Sequence, residues 1–406
     1  VATDNNMITV ETATRLIQQE ARLSDPTEVP LASACGRVLR EPLVADRDFP
    51  PFHRVAMDGI AISSRDFGNG QRIFPVSGIQ AAGKPRAVMS GAGLCMEVMT
   101  GAVLPEGADA VVRYEDLAME GGQAEIRLAE VLPWQHVHRQ GNDRRQGAVL
   151  VREGTLLTPA EIGLAATVGK HRLRVSALPQ AVVLSTGEEL VAVEETPLPH
   201  QIRRSNVHSL AALLAEQGLR VSTGHLPDDP EALREQLGPL LDSNDLLVLS
   251  GGVSMGKFDF VPQVLVELGV QPSFHRVSQR PGKPLWFGCR GRTVVFALPG
   301  NPVSSFMCTL RYVSPWIRAV QGLPPAPSML AVLAEDFSFT PGLTYFLQVT
   351  VRRDPSGILL ASPVVGHGSG DLANLAAADG FLELPKDRQD FHSGESFPLH
   401  AYRTPC

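Results

Sequence analysis

Apolar runs of strand length recur through the second half of the chain, and each ends in turn-forming residues. They are Ala181–Leu184, Leu246–Leu249 and Val294–Leu298, and Arg220–Leu226 is a further, more polar strand. Between them, apolar positions fall at helical spacing. Asn206–Gln217 ends at Gly218, a suitable left-handed C-terminal residue. Asp228-Asp229-Pro230 offers an N-cap and a first-turn proline for a helix to about Leu241. Val261–Leu268 is closed by Gly269, and Pro302 opens a helix to about Val320. Uninterrupted apolar strands are buried on both faces, so strand–helix alternation predicts a parallel sheet covered on both sides.

The first half reads differently. Val10, Ala13, Leu16, Ile17 and Ala21 share one face of a helix over residues 9–23, with Thr9 as N-cap. Short β-type runs then follow one another between Gly and Pro: Gly59–Ser63, Ile73–Val76, Leu94–Met99, Ala110–Tyr114 and Ala124–Leu128. Pro159 opens a second helical segment to residue 169, expected to pack on the first, which makes the β region an insertion between two halves of one module. After the stiff linker Leu323-Pro324-Pro325-Ala326-Pro327 the pattern is β again, with Tyr345–Arg352 and Phe381–Leu384, as in a small barrel or sandwich.

Composition narrows the function. At roughly 150 residues per domain, 406 residues make two to four domains. A net charge of −7 opposes general nucleic-acid binding. Cys35, Cys95, Cys289, Cys308 and Cys406 form no C-x-x-C pair, which argues against a disulfide framework or zinc–thiolate site and for a reducing compartment. The eleven histidines show no metal-ligand spacing. Neither a secretory leader pattern nor a membrane-length apolar segment is visible, so the expected location is the cytoplasm.

Ligands of such sheets bind at the carboxyl ends of strands. Three predicted strands end there in unusual loops: Ser185-Thr186-Gly187-Glu188-Glu189, Ser250-Gly251-Gly252-Val253-Ser254 and Pro299-Gly300-Asn301-Pro302. Gly251 and Gly252 let backbone N–H groups approach an oxyanion, as Ser185, Thr186 and Ser254 do with hydroxyls and amides. Glu189, or Glu188, and Asp259 suit a hard cation bridging to the same anion. Asn301 and Pro302 set a helix N-terminus, which attracts anions. Arg276, Arg280 and Lys283 form a cationic cluster restrained by Pro281, Gly282 and Pro284.

In order along the chain, AMDGIA (Ala56–Ala61), MTGAVLPEGADAVV (Met99–Val112), STGEEL (Ser185–Leu190), SGGVSMGKFDF (Ser250–Phe260), RPGKP (Arg280–Pro284), LPGNPVSS (Leu298–Ser305) and Gly368–Pro385 resemble the molybdopterin molybdenumtransferase (MoeA) family, related to the C-terminal part of gephyrin. The resemblance implies an α/β and β multidomain fold: a linking module (1–47 and 141–177), an inserted β domain (48–140), a three-layer α/β molybdopterin-binding domain with a parallel-rich sheet (178–325) and a C-terminal β-barrel (326–406). It further implies an antiparallel homodimer, whose site lies between the α/β domain of one subunit and the AMDG-bearing domain of the other. The implied reaction inserts molybdate into adenylated molybdopterin with Mg²⁺ and releases AMP. By position, the implied site residues are Asp58, Thr100, Asp143, Glu189, Asp229, Asp259, Arg276, Arg280, Lys283, Pro299, Pro302 and Ser369. The adenylyltransferase of the preceding step and downstream molybdoenzyme maturation proteins are candidate partners.

The chain departs from the family pattern at His138, Asn142 and Gln348, where arginine, glutamate and a basic residue are usual, and at Arg276 and Arg280, where lysine is common. Rival readings are an adenylyltransferase-like enzyme, a gephyrin-like scaffold and insertion of tungstate.

Overall fold

The computed structural model describes residues 7–253, 259–340, 342–366 and 368–404. Its contacts divide the chain into two units, one of residues 28–35 and 39–173, the other of 1–27, 36–38 and 174–406.

The larger unit is built on a six-stranded sheet in the order Val221–Leu226, Ala181–Thr186, Leu246–Ser250, Thr293–Leu298, Trp286–Arg290, Gln271–His275. The first four strands are parallel. The last two are antiparallel, so the sheet is mixed where strand–helix alternation alone predicts a parallel one. Alternate residues feed opposite layers. Val183, Val248 and Phe296 join one core with the helix Asn206–Ala215. Val182, Leu247 and Val295 join another with the helices Pro230–Ser243 and Val261–Glu267. Burial on both faces is what the continuous apolar runs require.

Two helical expectations change. The first helix, Val10–Gln19, is capped by Thr9 and buries Val10, Ala13 and Ile17 in the α/β core with Trp316 and Val320, where its sequence pattern suggested a partner in Pro159–Thr167. The helix expected from Pro302 to Val320 runs as Pro302–Cys308 and Ser314–Val320, with a π-helical turn at Thr309–Val313 between them. Pro315 has no N–H for the carbonyl four residues back, and the wider turn absorbs that loss.

In the C-terminal region Thr344–Arg353, Leu359–Pro363, Met329–Leu333, Ser396–Ala401 and Gly380–Leu384 close into a five-stranded barrel. Its own core includes Leu333, Leu347, Val349, Leu382 and Leu399, while Phe346 and Phe381 reach into the α/β core.

The smaller unit carries a six-stranded, mostly antiparallel sheet in the order Ala110–Arg113, Gly59–Ile62, Cys95–Val98, Ile73–Gln80, Gln123–Ile126, Leu117–Glu120. Gly59–Ile62 is buried on both faces, Ile60 and Ile62 in one core and Ala61 in another. No described helix is long and apolar enough to cross a membrane.

Candidate active site

The sheet order places Ala181–Thr186 between the strand that follows it in sequence and Leu246–Ser250. That is the switch point where crevices open at the carboxyl ends of strands. Ser185 pairs with Ser250, and Ser250 with Leu298, so the three loops leave the sheet at one level. Above them lies a cleft of about 850 Å³, within the range of small-molecule sites.

Backbone contact builds its floor. Gly251 has φ +106°, and a Cβ there would sit 2.7 Å from the Thr186 carbonyl oxygen. A Cβ on Gly300 would lie 3.6 Å from the Gly251 Cα, and the Gly251 N–H donates to the Leu298 carbonyl at 3.0 Å. Asn206, at the start of its helix, clamps two of the loops: its Nδ2 donates to Ser250 Oγ at 2.8 Å and to the Gly300 carbonyl at 2.7 Å. Behind them His275 Nε2 lies 3.1 Å from the Val253 carbonyl and must donate, because a carbonyl only accepts. Burial lowers the His275 pKa, which suits that neutral tautomer.

Both cations and carboxylates line the cleft. Arg276–Leu285 is the loop of the antiparallel hairpin, and it brings Arg280 and Lys283 to the rim; Arg203 and Arg204 arrive from the segment before Asn206. Glu189, Asp228 and Asp259 supply the carboxylates. Burial raises the Asp228 pKa, and the negative charges of Glu189 and Glu188 add to the rise. Gly187 wraps the Glu189 carboxylate so closely that a Cβ would lie 2.6 Å from its Oε2. Among the described residues no three acidic, histidine or cysteine side chains converge as a complete metal cage. A set of carboxylate oxygens nevertheless fits Mg²⁺, which takes one or two carboxylates and fills its shell with water and phosphate oxygens.

The structure sorts the residues singled out from the sequence. Ser185, Thr186, Glu189, Gly251, Gly252, Asp259, Arg280, Lys283, Pro299, Asn301, Pro302 and Ser369 line the cleft. Arg276 does not; it stands at the loop base with φ +78°, its N–H donating to the Leu285 carbonyl. Asp229 does not either: its carboxylate caps the helix Pro230–Ser243 by accepting from the Ala232 N–H at 2.9 Å, and the neighbouring Asp228 takes the place at the cleft. Ser254 lies outside the described residues. The helix N-terminus at Pro302 is already engaged, since the Val303 N–H donates to the Ser369 carbonyl at 3.1 Å and Asn301 Nδ2 to Ser369 Oγ at 2.9 Å.

Asp58, Thr100 and Asp143 belong to the smaller unit. Asp58 is exposed, and its Oδ1 accepts from the Thr100 N–H at 2.6 Å and the Thr100 hydroxyl at 2.8 Å. The backbone bond first, then the hydroxyl bond, lowers its pKa. Gly59 follows because the chain runs against its neighbour, where a Cβ would stand 1.9 Å from the Val112 carbonyl oxygen. Asp143 is 2.8 Å from His138 Nε2, and His138 Nδ1 is 3.1 Å from an Arg54 nitrogen, so His138 bridges a cation to this carboxylate.

Sequence reading missed Asp228, Arg203, Arg204 and Asn206. Asp228 was hidden behind the capping role of the Asp-Asp-Pro segment. The Arg203-Arg204 pair before a helix start was the available signal for the others.

A parallel-rich sheet with a glycine-built cleft lined by cations and carboxylates defines a doubly wound α/β domain carrying appended β domains. Residues 8–169 match the MoeA N-terminal region (domain I and II), 182–319 a probable molybdopterin binding domain and 330–402 the MoeA C-terminal region (domain IV). The chain is 39% identical over 402 residues to the molybdopterin molybdenumtransferase of Synechocystis sp., covering 98% of this chain and all of the relative. It is 30% identical to the Bacillus subtilis protein of the same name, over 98% of this chain and 94% of that one. The crystal structure of the molybdopterin biosynthesis moea protein from Pyrococcus horikosii superposes with a TM-score of 0.85 at 28% identity, over 98% of this chain and all of that one. The chain belongs to the molybdopterin molybdenumtransferase family.

Proposed function

We propose that this protein is a molybdopterin molybdenumtransferase: adenylated molybdopterin and molybdate bind, molybdenum enters at the dithiolene, and AMP leaves. The observation that carries this reading is the convergence of three strand-end loops, a cationic hairpin loop and carboxylates on one cleft. Arg280 and Lys283, with Arg203 and Arg204, hold the phosphates and molybdate. The Ser185–Thr186 and Gly251–Gly252 turns bring hydroxyls and backbone N–H groups close to an oxyanion. Glu189 and Asp259, with Asp228, are the residues that would hold Mg²⁺, whose chemistry is Lewis-acid polarisation of a phosphoryl oxygen. Asp58, Thr100 and Asp143 are assigned to the same reaction as the contribution of a second copy of the chain, facing the pterin or oxyanion in a homodimer.

The test is Mg²⁺-dependent AMP release from adenylated molybdopterin with molybdate. Asp259→Ala is expected to lower it about a hundredfold, the scale of a lost metal contact. Unchanged release would remove Asp259 from its role. Mixing Asp58→Ala with Asp259→Ala is expected to restore about a quarter of wild-type activity through hybrid dimers that hold one intact site. No restoration would show that both residues act from the same copy.

A further inference from the structure

The barrel wall of the cleft holds a polar group that the reaction as assigned leaves unused. Gln348 lies on the strand Thr344–Arg353, opposite Phe381, with its side chain only 9% exposed, and it lines the cleft. Its Oε1 accepts from Asn374 Nδ2 at 3.0 Å, and the same Nδ2 reaches the Val364 carbonyl at 3.4 Å. A backbone carbonyl can only accept, so the Val364 contact fixes the Asn374 amide, and Asn374 in turn fixes that of Gln348. Gly366 presses on this pair, where a Cβ would lie 2.6 Å from Asn374 Nδ2. Gln348 Nε2 is left buried with no acceptor among the described residues. A buried amide N–H without a partner is costly, and one held this firmly on a cleft wall calls for an acceptor from outside the chain.

The surroundings say what kind of acceptor. Gln348 is packed with Asn374, Val364 and Phe381, none of them charged. Three residues earlier on the strand, Tyr345 stacks on Phe339 with ring centroids 4.1 Å apart and also lines the cleft. Arg280 pairs with Tyr345 on this strand and lies over the Phe339 ring, but residues three apart on a strand point to opposite faces, so this cation sits with Tyr345 rather than with Gln348. An anion placed against Gln348 would give up hydration for one neutral donor, whereas the edge of a flat heterocycle would be matched.

We propose that Gln348 is a specificity-determining donor: its Nε2–H hydrogen-bonds an uncharged ring carbonyl oxygen or ring nitrogen in the heterocyclic part of the substrate, leaving the phosphates to the arginines and lysine of the cleft. This rests on the transferase reading above. A neutral amide on this wall then separates ring recognition from charge recognition within one cleft.

The experiment measures dissociation constants of adenylated molybdopterin and of AMP for the full-length protein and for Gln348→Met, Gln348→Glu and Gln348→Arg, at low and high ionic strength. Gln348→Met and Gln348→Glu are expected to weaken adenylated molybdopterin about tenfold, the scale of one buried hydrogen bond, and to leave AMP unchanged. Gln348→Arg is expected to regain no affinity and to add no salt dependence. Gln348→Met also removes the oxygen that accepts from Asn374 Nδ2, so its unliganded melting temperature is expected to fall slightly, while Gln348→Glu keeps that acceptor and should show the same loss of adenylated molybdopterin binding; weakened binding in Gln348→Met alone would assign Gln348 a structural role and overturn the proposal. Tighter, more salt-sensitive binding by Gln348→Arg would place a phosphate there and also overturn it, as would wild-type affinities in all three variants. If wild type itself does not bind adenylated molybdopterin, the transferase reading falls with the inference; if wild type binds and the variants bind equally, only the inference falls.

Discussion

In the α/β unit the acidic side chains crowd one cleft, and Asp228 is pushed up by burial and by Glu189 and Glu188. In the β domain Asp58 stands exposed and is pushed down by its two hydrogen bonds from Thr100, with Oδ2 making none among the described residues. The first arrangement gathers three carboxylates, the donor type that a hard cation takes. The second is a ready-made anionic acceptor with one oxygen to offer, suited to a donor on a substrate or facing surface. Carboxylates of the two units are therefore given different ionisation behaviour by their neighbours alone.

The sharpest way to break this contrast uses the two glycines that position the acids. Gly59→Ala must relieve a 1.9 Å approach to the Val112 carbonyl inside a doubly buried strand, with an expected loss of about 3 kcal/mol. Denaturant unfolding with a probe in the β domain reads that loss. Gly251→Ala meets the Thr186 carbonyl at 2.7 Å on a loop, and its expected signature is weakened AMP binding with a smaller change in stability. Equal loss of stability in the two variants would erase the distinction between a structural and a ligand-facing glycine.

A smaller effect separates adjacent aspartates. Asp229→Ala removes a helix cap and is expected to cost about 1 kcal/mol of stability with AMP release within about twofold of wild type. Asp228→Asn should do the reverse, raising the Mg²⁺ concentration needed for half-maximal activity with little change in melting temperature. Magnesium titrations of both variants decide it, and a large activity defect in Asp229→Ala would restore that residue to the site.

The smallest effect is a shift in pH dependence. Hydrogen bonds from Thr100 hold the Asp58 pKa below its ordinary value, so wild type keeps the carboxylate charged further into acid. Thr100→Val removes the hydroxyl bond but keeps the backbone one. The acid limb of the activity profile is therefore expected to move to higher pH, toward the range of a free aspartate. A profile that stays in place would mean that Asp58 ionisation does not govern that limb.

Much of this was legible in the chain itself. Ala181–Thr186, Leu246–Ser250 and Thr293–Leu298 announce themselves because a strand buried on both faces has no polar position to interrupt it. The antiparallel pair Gln271–His275 and Trp286–Arg290 was missed: the first has an exposed, mixed burial pattern, and Gly288 interrupts the second. With it went the hairpin origin of the cationic loop. Arg276 entered through its cationic cluster and Asp229 through the family resemblance, but one sits at a loop base and the other is the helix cap that its Asp-Asp-Pro segment announced. Which neighbour of a charged pair faces inward is set by backbone direction, which residue types do not encode.

The five barrel strands form a ring in which each has a bonded neighbour on both sides. With no unpaired rim to template further strands, this end of the molecule is shielded from the sheet-to-sheet growth that seeds fibres. Self-association there must proceed through side-chain surfaces, where single substitutions can tune it.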